Sequence, residues 1–122
     1  MSKKLVKFKP LKKILFFLDN KYKFEIIYYL SVKKMRFGEI RECLETITQQ
    51  LLTKQLKDME KNNLILRKEY NQFPKKVEYS LTTLGKSLEP FVNLMQKWEK
   101  DNSKKINNLL KKNLLDSIYD YY

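Results

Sequence analysis

The residues best suited to chemistry with another molecule lie in one stretch, residues 47–70, ITQQLLTKQLKDMEKNNLILRKEY. On a helical wheel at about 100° per residue, Leu51, Leu52, Leu56 and Met59 gather on one side, while Gln50, Thr53, Lys54, Lys57 and Lys61 fall opposite. Glutamine offers adenine a paired donor and acceptor, threonine reaches bases or sets its methyl against thymine, and lysine reaches phosphate or guanine. Gln49, Gln50, Thr53 and Lys54 at the front of this helix are therefore candidates for base contact. Lys57 and Lys61 are candidates for phosphate, which positions without specifying. On an isolated helix the same stripe is an ordinary solvated face, so the flanking elements must decide.

Other chemistries lack their residues. There is no histidine, and the single cysteine, Cys43, allows neither an intramolecular disulfide nor a multi-cysteine metal site. The two glycines, Gly38 and Gly85, are too far apart for a phosphate-binding loop. No enzyme, metal or cofactor is expected. A chain of 122 residues with 43% hydrophobic residues makes one domain with an extension, expected at 1–100 and 101–122. The net charge of +12 favours a polyanion, nucleic acid first, although a lysine-rich, alanine-free composition explains part of it. No run of about eighteen apolar residues exists and the N-terminus lacks the pattern of a signal peptide, so the chain is expected to be cytoplasmic.

The elements that must carry the stripe follow from periodicity. Leu11, Ile14, Leu15 and Leu18 predict a short helix after Pro10, interrupted at 19–23, DNKYK. Phe24 to Leu30 is a second apolar stretch, and Phe37, Ile40, Leu44 and Ile47 mark a third helix with Arg36, Glu39, Arg41 and Glu42 on its wet side. Thr48 caps the fourth helix, with a competing capping box from Thr46 to Gln49, and the helix fades at Lys61, Asn62 and Asn63. Ile65 to Tyr70 and the alternation of Val77, Tyr79 and Leu81 predict a hairpin across 71–76, NQFPKK. Thr82 caps a long helix carrying Leu84, Leu88, Phe91, Leu94, Met95 and Trp98, with Pro90 expected to kink or divide it. A polar break at Asp101, Asn102 and Ser103 precedes a last amphipathic helix through Ile106, Leu109, Leu110, Leu114, Ile118 and Tyr119.

The fold class expected is mainly α with a small β-hairpin. Helix, second helix and two-stranded ribbon in that order make a winged helix-turn-helix, whose second helix enters the DNA major groove. Arg36 and Thr48 join the DNA-binding candidates on this reading, and Arg67, Lys68, Lys75 and Lys76 bring cations to the wing, where phosphates or a minor groove would lie. At the wing a solvated, lysine-rich turn remains the competing reading.

At this point the chain resembles the HxlR-type winged helix-turn-helix regulators, relatives of the MarR group, over roughly residues 10–98. Residues 36–40, RFGEI, resemble the family's RFxEL segment, and 47–53, ITQQLLT, resemble its I-S-x-x-x-L-T. Residues 56–60, LKDME, stand where LKxLE is expected, and 63–65, NLI, where DGL[IV] is expected, with Arg67 and Tyr70 in step. Pro74, Val77-Glu78-Tyr79, Leu81-Thr82, Gly85, Leu88 and Trp98 match the P-x-x-VEYxLTxxGxxL segment and its terminal tryptophan. The resemblance implies a homodimeric transcription regulator that binds double-stranded DNA, each protomer reading half of an inverted repeat. It also implies that the first and last helices make the dimer, through Leu11, Ile14, Leu15, Leu18, Leu88, Phe91, Leu94, Met95, Trp98, Leu109 and Leu110.

Three departures bear on this reading. Lys9 stands before Pro10 where many members carry a redox-sensing cysteine, the customary GGKW reads Asp19-Asn20-Lys21-Tyr22, and Lys75 replaces a second proline. Cys43 is read as a small, buried hydrophobe. Residues 102–122 extend past the pattern and are expected to add a dimer-forming helix. Two rivals stand beside DNA binding: a winged-helix interaction module whose basic surface docks an acidic partner, and a tail that meets acidic lipid through Lys104, Lys105, Lys111 and Lys112. The membrane is not among the expected partners. A small effector lined by Tyr22, Tyr28, Phe91 and Trp98 is allowed by the sequence but not indicated, since aromatic residues at helical spacing are more often plain core.

Overall fold

A computed structural model describes Lys7 and residues 11–120, with side chains described through residue 117. The expected helix start at Pro10, Lys9 beside it, and the side chains of Ile118 and Tyr119 lie outside the described residues. The order is α1 (Leu11–Phe17), α2 (Lys21–Val32), α3 (Phe37–Leu44), α4 (Gln49–Lys61), β1 (Ile65–Tyr70), β2 (Lys76–Leu81), α5 (Thr83–Ser87), α6 (Glu89–Asp101) and α7 (Ser103–Asp120). The described residues divide after Glu89 into two units, residues 1–89 and 90–122.

In the first unit the apolar faces of α2, α3 and α4 close on one another. Ile26, Ile27, Ile40, Leu52 and Met59 are fully buried, with Leu18, Leu64 and Ile65 sealing the edges. The second helix begins earlier than periodicity suggests, because Asn20 accepts from the backbone N–H of Tyr22 and of Lys23 and so starts a helix inside the segment expected as an interruption. Leu18 is also corrected. Expected at a subunit interface, it is 1% exposed within a single chain and has no surface left for a partner.

Strand β1 pairs with β2 antiparallel, with Ile65 opposite Leu81 and Tyr70 opposite Lys76. A third strand fragment, unseen in the sequence, is Met35, which exchanges two backbone hydrogen bonds with Tyr79 at 3.0 and 2.7 Å and ties the α2–α3 connection to the wing. Thr82 anchors the far end: its hydroxyl lies 2.6 Å from the Asn63 carbonyl oxygen and accepts from the Gly85 N–H. Gly85 has no alternative here, since a Cβ on it would meet the Leu64 carbonyl oxygen at 2.1 Å. The predicted long helix divides between Ser87 and Glu89, because Pro90 has no N–H for the carbonyl four residues back and its ring crowds that turn.

In the second unit, α6 carries Phe91, Leu94, Met95 and Trp98 at spacings of three and four, all half or more exposed. On α7, Leu109, Leu110, Leu114 and Leu115 are exposed as well. Among the described residues no helix is long and apolar enough to cross a membrane.

Candidate nucleic-acid interface

The connection between α3 and α4 is unusually tight. Glu45 takes φ 56° and ψ −71°, and the Leu44 carbonyl accepts from the Thr46 N–H at 2.7 Å, closing a three-residue turn of the strained γ type. Ile47, 3% exposed, then pins the chain to the core. Thr48 follows with extended backbone and accepts from the Leu51 N–H at 3.1 Å. The Thr48 cap prevails over the competing box at Thr46 because the turn consumes Thr46. Thr48 thereby spends an acceptor on starting α4 and keeps its hydroxyl proton for an outside partner.

The outer face of α4 is as the wheel predicts. Gln49, Gln50, Lys54, Lys57 and Lys61 are exposed, and Thr53 is half-buried, its hydroxyl donating to the Gln49 carbonyl at 2.8 Å. Thr53 therefore presents its methyl and oxygen lone pairs rather than its proton. The first turn of α4 holds no acidic residue, so the positive end of its helix dipole is not neutralised locally. Among the described residues no carboxylate pairs with Lys54, Lys57 or Lys61. At the N-cap of α3 Arg36 is exposed, and its backbone N–H donates to Glu39, whose carboxyl lies below its ordinary value for that reason and through Lys33.

The inner face holds two polar residues that periodicity missed. Gln55, 4% exposed, accepts from the Asn20 side chain at 2.8 Å. Lys23, 2% exposed, places its ammonium 2.8 Å from Asp19 and 3.6 Å from Asp58. Its hydrogen bond to Asp19 holds that carboxyl below the ordinary value. Both links join the start of α2 to α4. The available signal was Asn20 itself, a capping residue directly before an apolar run.

The wing distributes its cations differently from a simple count. With a two-residue period, Arg67 and Glu69 share one face with Val77 and Tyr79, while Lys68 and Tyr70 share the other with Lys76 and Glu78. On the first face Glu69 binds both Arg67, at 2.6 Å, and Lys75, at 3.2 Å. The Glu69 carboxyl is lowered chiefly by Arg67, and the Arg67 guanidinium is raised chiefly by Glu69. On the second face the Lys68 and Lys76 ammonium groups lie 4.7 and 4.6 Å from the Tyr70 ring centre, and the Tyr70 hydroxyl donates to Glu78 at 2.8 Å. Lys76 also lies 3.9 Å from Glu78, which leaves Lys68 as the wing cation without a carboxylate among the described residues. Between wing and helix, one cleft brings Lys57, Glu60 and Arg67 to a common lining with Phe37 and Tyr79.

Of the residues expected at a dimer, Leu11, Leu15, Phe91, Leu94, Met95, Trp98, Leu109 and Leu110 are exposed, and Ile14 and Leu88 are half-buried. Cys43 is half-buried on α3.

Comparison with known proteins agrees with this geometry. The model of the family described as HxlR-like helix-turn-helix matches residues 17–107. A Fusobacterium mortiferum protein that carries the name regulatory protein MalR is 44% identical over 87 residues, covering 70% of this chain and 82% of that protein. The uncharacterized HTH-type transcriptional regulator YdeP of Bacillus subtilis (strain 168) is 39% identical over 100 residues, covering 82% of this chain and 78% of its own. Among solved structures, the redox regulator HypR in its reduced form superposes with a TM-score of 0.77 at 37% identity, over 82% of this chain and 99% of that one. With its winged helix, two-stranded wing and these relatives, the chain belongs to the HxlR-like helix-turn-helix family of transcriptional regulators.

Proposed function

We propose that the chain is a sequence-specific DNA-binding regulator that acts as a homodimer on an inverted repeat, with α4 of each protomer in the major groove. The observation that carries this reading is the contrast on the basic surface. The lysines of α4 have no carboxylate partner among the described residues, whereas Arg67, Lys75 and Lys76 of the wing do. Unpaired lysines spaced along the exposed face of α4 to its last residue suit a phosphate backbone, and Gln49 and Gln50 in the first turn suit base edges. Residues 1–100 are the DNA-binding part on this reading, and 101–122 add to the contact between protomers.

The test is selection of bound fragments from genomic DNA by the intact protein, followed by titration of one selected fragment in increasing salt. A regulator recovers an inverted repeat with half-site centres about 34 Å apart, or a multiple of that. Gln50→Ala then changes the preferred base at one position. Lys57→Ala weakens every duplex alike and lowers the slope of log affinity against log salt by about one unit. Equal recovery of all fragments, or equal losses for Gln50→Ala on all sequences, sinks the reading.

A further inference from the structure

The wing ends in a feature that major-groove recognition by α4 does not use. Between the last paired residues, Tyr70 and Lys76, a five-residue loop carries Asn71, Gln72, Phe73, Pro74 and Lys75, all exposed. Phe73 is 99% exposed, against 68% for Phe16 and 67% for Val32, the next most exposed large apolar side chains described. Scattered exposed hydrophobics are ordinary, but these others keep about a third of their surface covered and Phe73 keeps none. The Gln72 N–H donates to the Tyr70 carbonyl at 2.9 Å, so the chain reverses early and Phe73 falls at the tip. At about 3.3 Å per residue, the strand carries that tip on the order of 17 Å from the buried anchor at Ile65.

The residues around Phe73 define what it can meet. Asn71 and Gln72 carry amide donors matched to the acceptors that A·T pairs show in the minor groove. Lys75, beside them, is 64% exposed and complements a phosphate. An apolar ring flanked by amides and a cation is the composition of a side chain that enters the minor groove and wedges a base step apart, which costs least at flexible pyrimidine–purine steps. A protein partner also offers acceptors to the amides and carboxylates to the cation; the duplex is favoured because the wing follows α4 directly in the chain, beside the helix proposed to read DNA.

Resting on the DNA-binding reading above, we infer that Phe73 is a minor-groove wedge, inserted at an A·T-rich step flanking each half-site, with Asn71 and Gln72 reading that step. The wedge adds affinity without adding charge. Its signature is therefore a loss that salt does not change.

The experiment uses the full chain and a genomic fragment that it selects, with 2-aminopurine placed in turn at the bases next to each flanking A·T step, because its own amino group lies in the minor groove and at the step itself obstructs the amides. Wild-type protein raises the fluorescence at one flanking step, as unstacking does. Phe73→Ala abolishes that rise and weakens binding about tenfold with an unchanged salt slope, while Phe73→Leu restores most of both. Lys75→Ala behaves oppositely, lowering the slope and keeping the fluorescence. The tip is solvent-exposed, and circular dichroism verifies that both Phe73 variants fold. Unchanged affinity and fluorescence in Phe73→Ala, with fragment selection intact, overturns the wedge alone. A shift in dimer dissociation on sedimentation, with the fluorescence unmoved, assigns Phe73 to a partner copy and overturns it too. Failure of the wild-type chain to select any fragment removes the DNA reading itself.

Discussion

Glu69 sets how much of the wing's charge reaches a polyanion. It is 48% exposed and engages two cations at once, so each pairing is weak in water, yet both must loosen before Arg67 and Lys75 can take phosphates. Glu69→Gln is therefore expected to tighten binding to all duplexes by about two- to fivefold at low salt and to steepen the salt slope by up to about one unit. Fluorescence anisotropy across a salt series reads both. Glu42→Gln removes the same charge from α3, away from these cations, and should give the smaller effect; equal gains from the two variants would mean that Glu69 acts only through net charge.

At the level of elements, the start of α2 and the inner face of α4 are held by Lys23 between Asp19 and Asp58, and by Asn20 on Gln55. The buried member is the lysine, while both aspartates keep water contact. Removing the lysine and removing its partners are thus different experiments. Lys23→Met is expected to be near neutral or slightly stabilising, since it removes a buried charge while both aspartates remain in contact with water. Asp19→Asn with Asp58→Asn leaves the charge unpaired and is expected to cost about 3 kcal/mol in urea unfolding. The pH dependence follows from Asp19. Its carboxyl is lowered in the folded chain, so it contributes stability above its unfolded value and loses it as pH falls through the folded value. Unfolding stability should therefore decline as pH falls below about 5 and through the ordinary carboxylate range, and Asp19→Asn should flatten part of that decline. A decline of the same steepness in Asp19→Asn would show that other carboxylates, such as Glu39 and Glu69, carry it.

For the whole molecule, the open question is what covers the apolar stripe of α6. Leu94 is 64% and Trp98 63% exposed on one face with Phe91 and Met95, an apolar stripe of the kind that marks an interaction surface. If the stripe forms the proposed dimer, Leu94→Glu with Trp98→Glu yields a monomer on sedimentation equilibrium. That monomer should lose at least about tenfold in affinity for a two-half-site duplex while keeping its affinity for one half-site, because only the linkage between sites is lost. A double variant that sediments like the wild-type chain places the interface elsewhere.

Periodicity and capping chemistry by themselves determined most of the first unit: the apolar side of α4, its start within two residues of Thr48, its exposed glutamines and lysines, the hairpin, and a break or kink at Pro90. These are local properties, set by spacing along one element and by which side chains satisfy free backbone groups at its ends. The family was legible too, because its segments recur in order along the chain. What only the tertiary structure decided involves partners far apart in sequence. Leu18 belongs to the core rather than to a surface. Gln55 turns inward because Asn20 waits for it 35 residues away, Lys23 is buried because α4 brings Asp58 to it, and Met35 becomes a strand because Tyr79 lies beside it. The wing shows the difference most clearly. Its four cations can be counted in the sequence, but their division between two faces and the capture of two of them by Glu69 depend on strand register and side-chain reach.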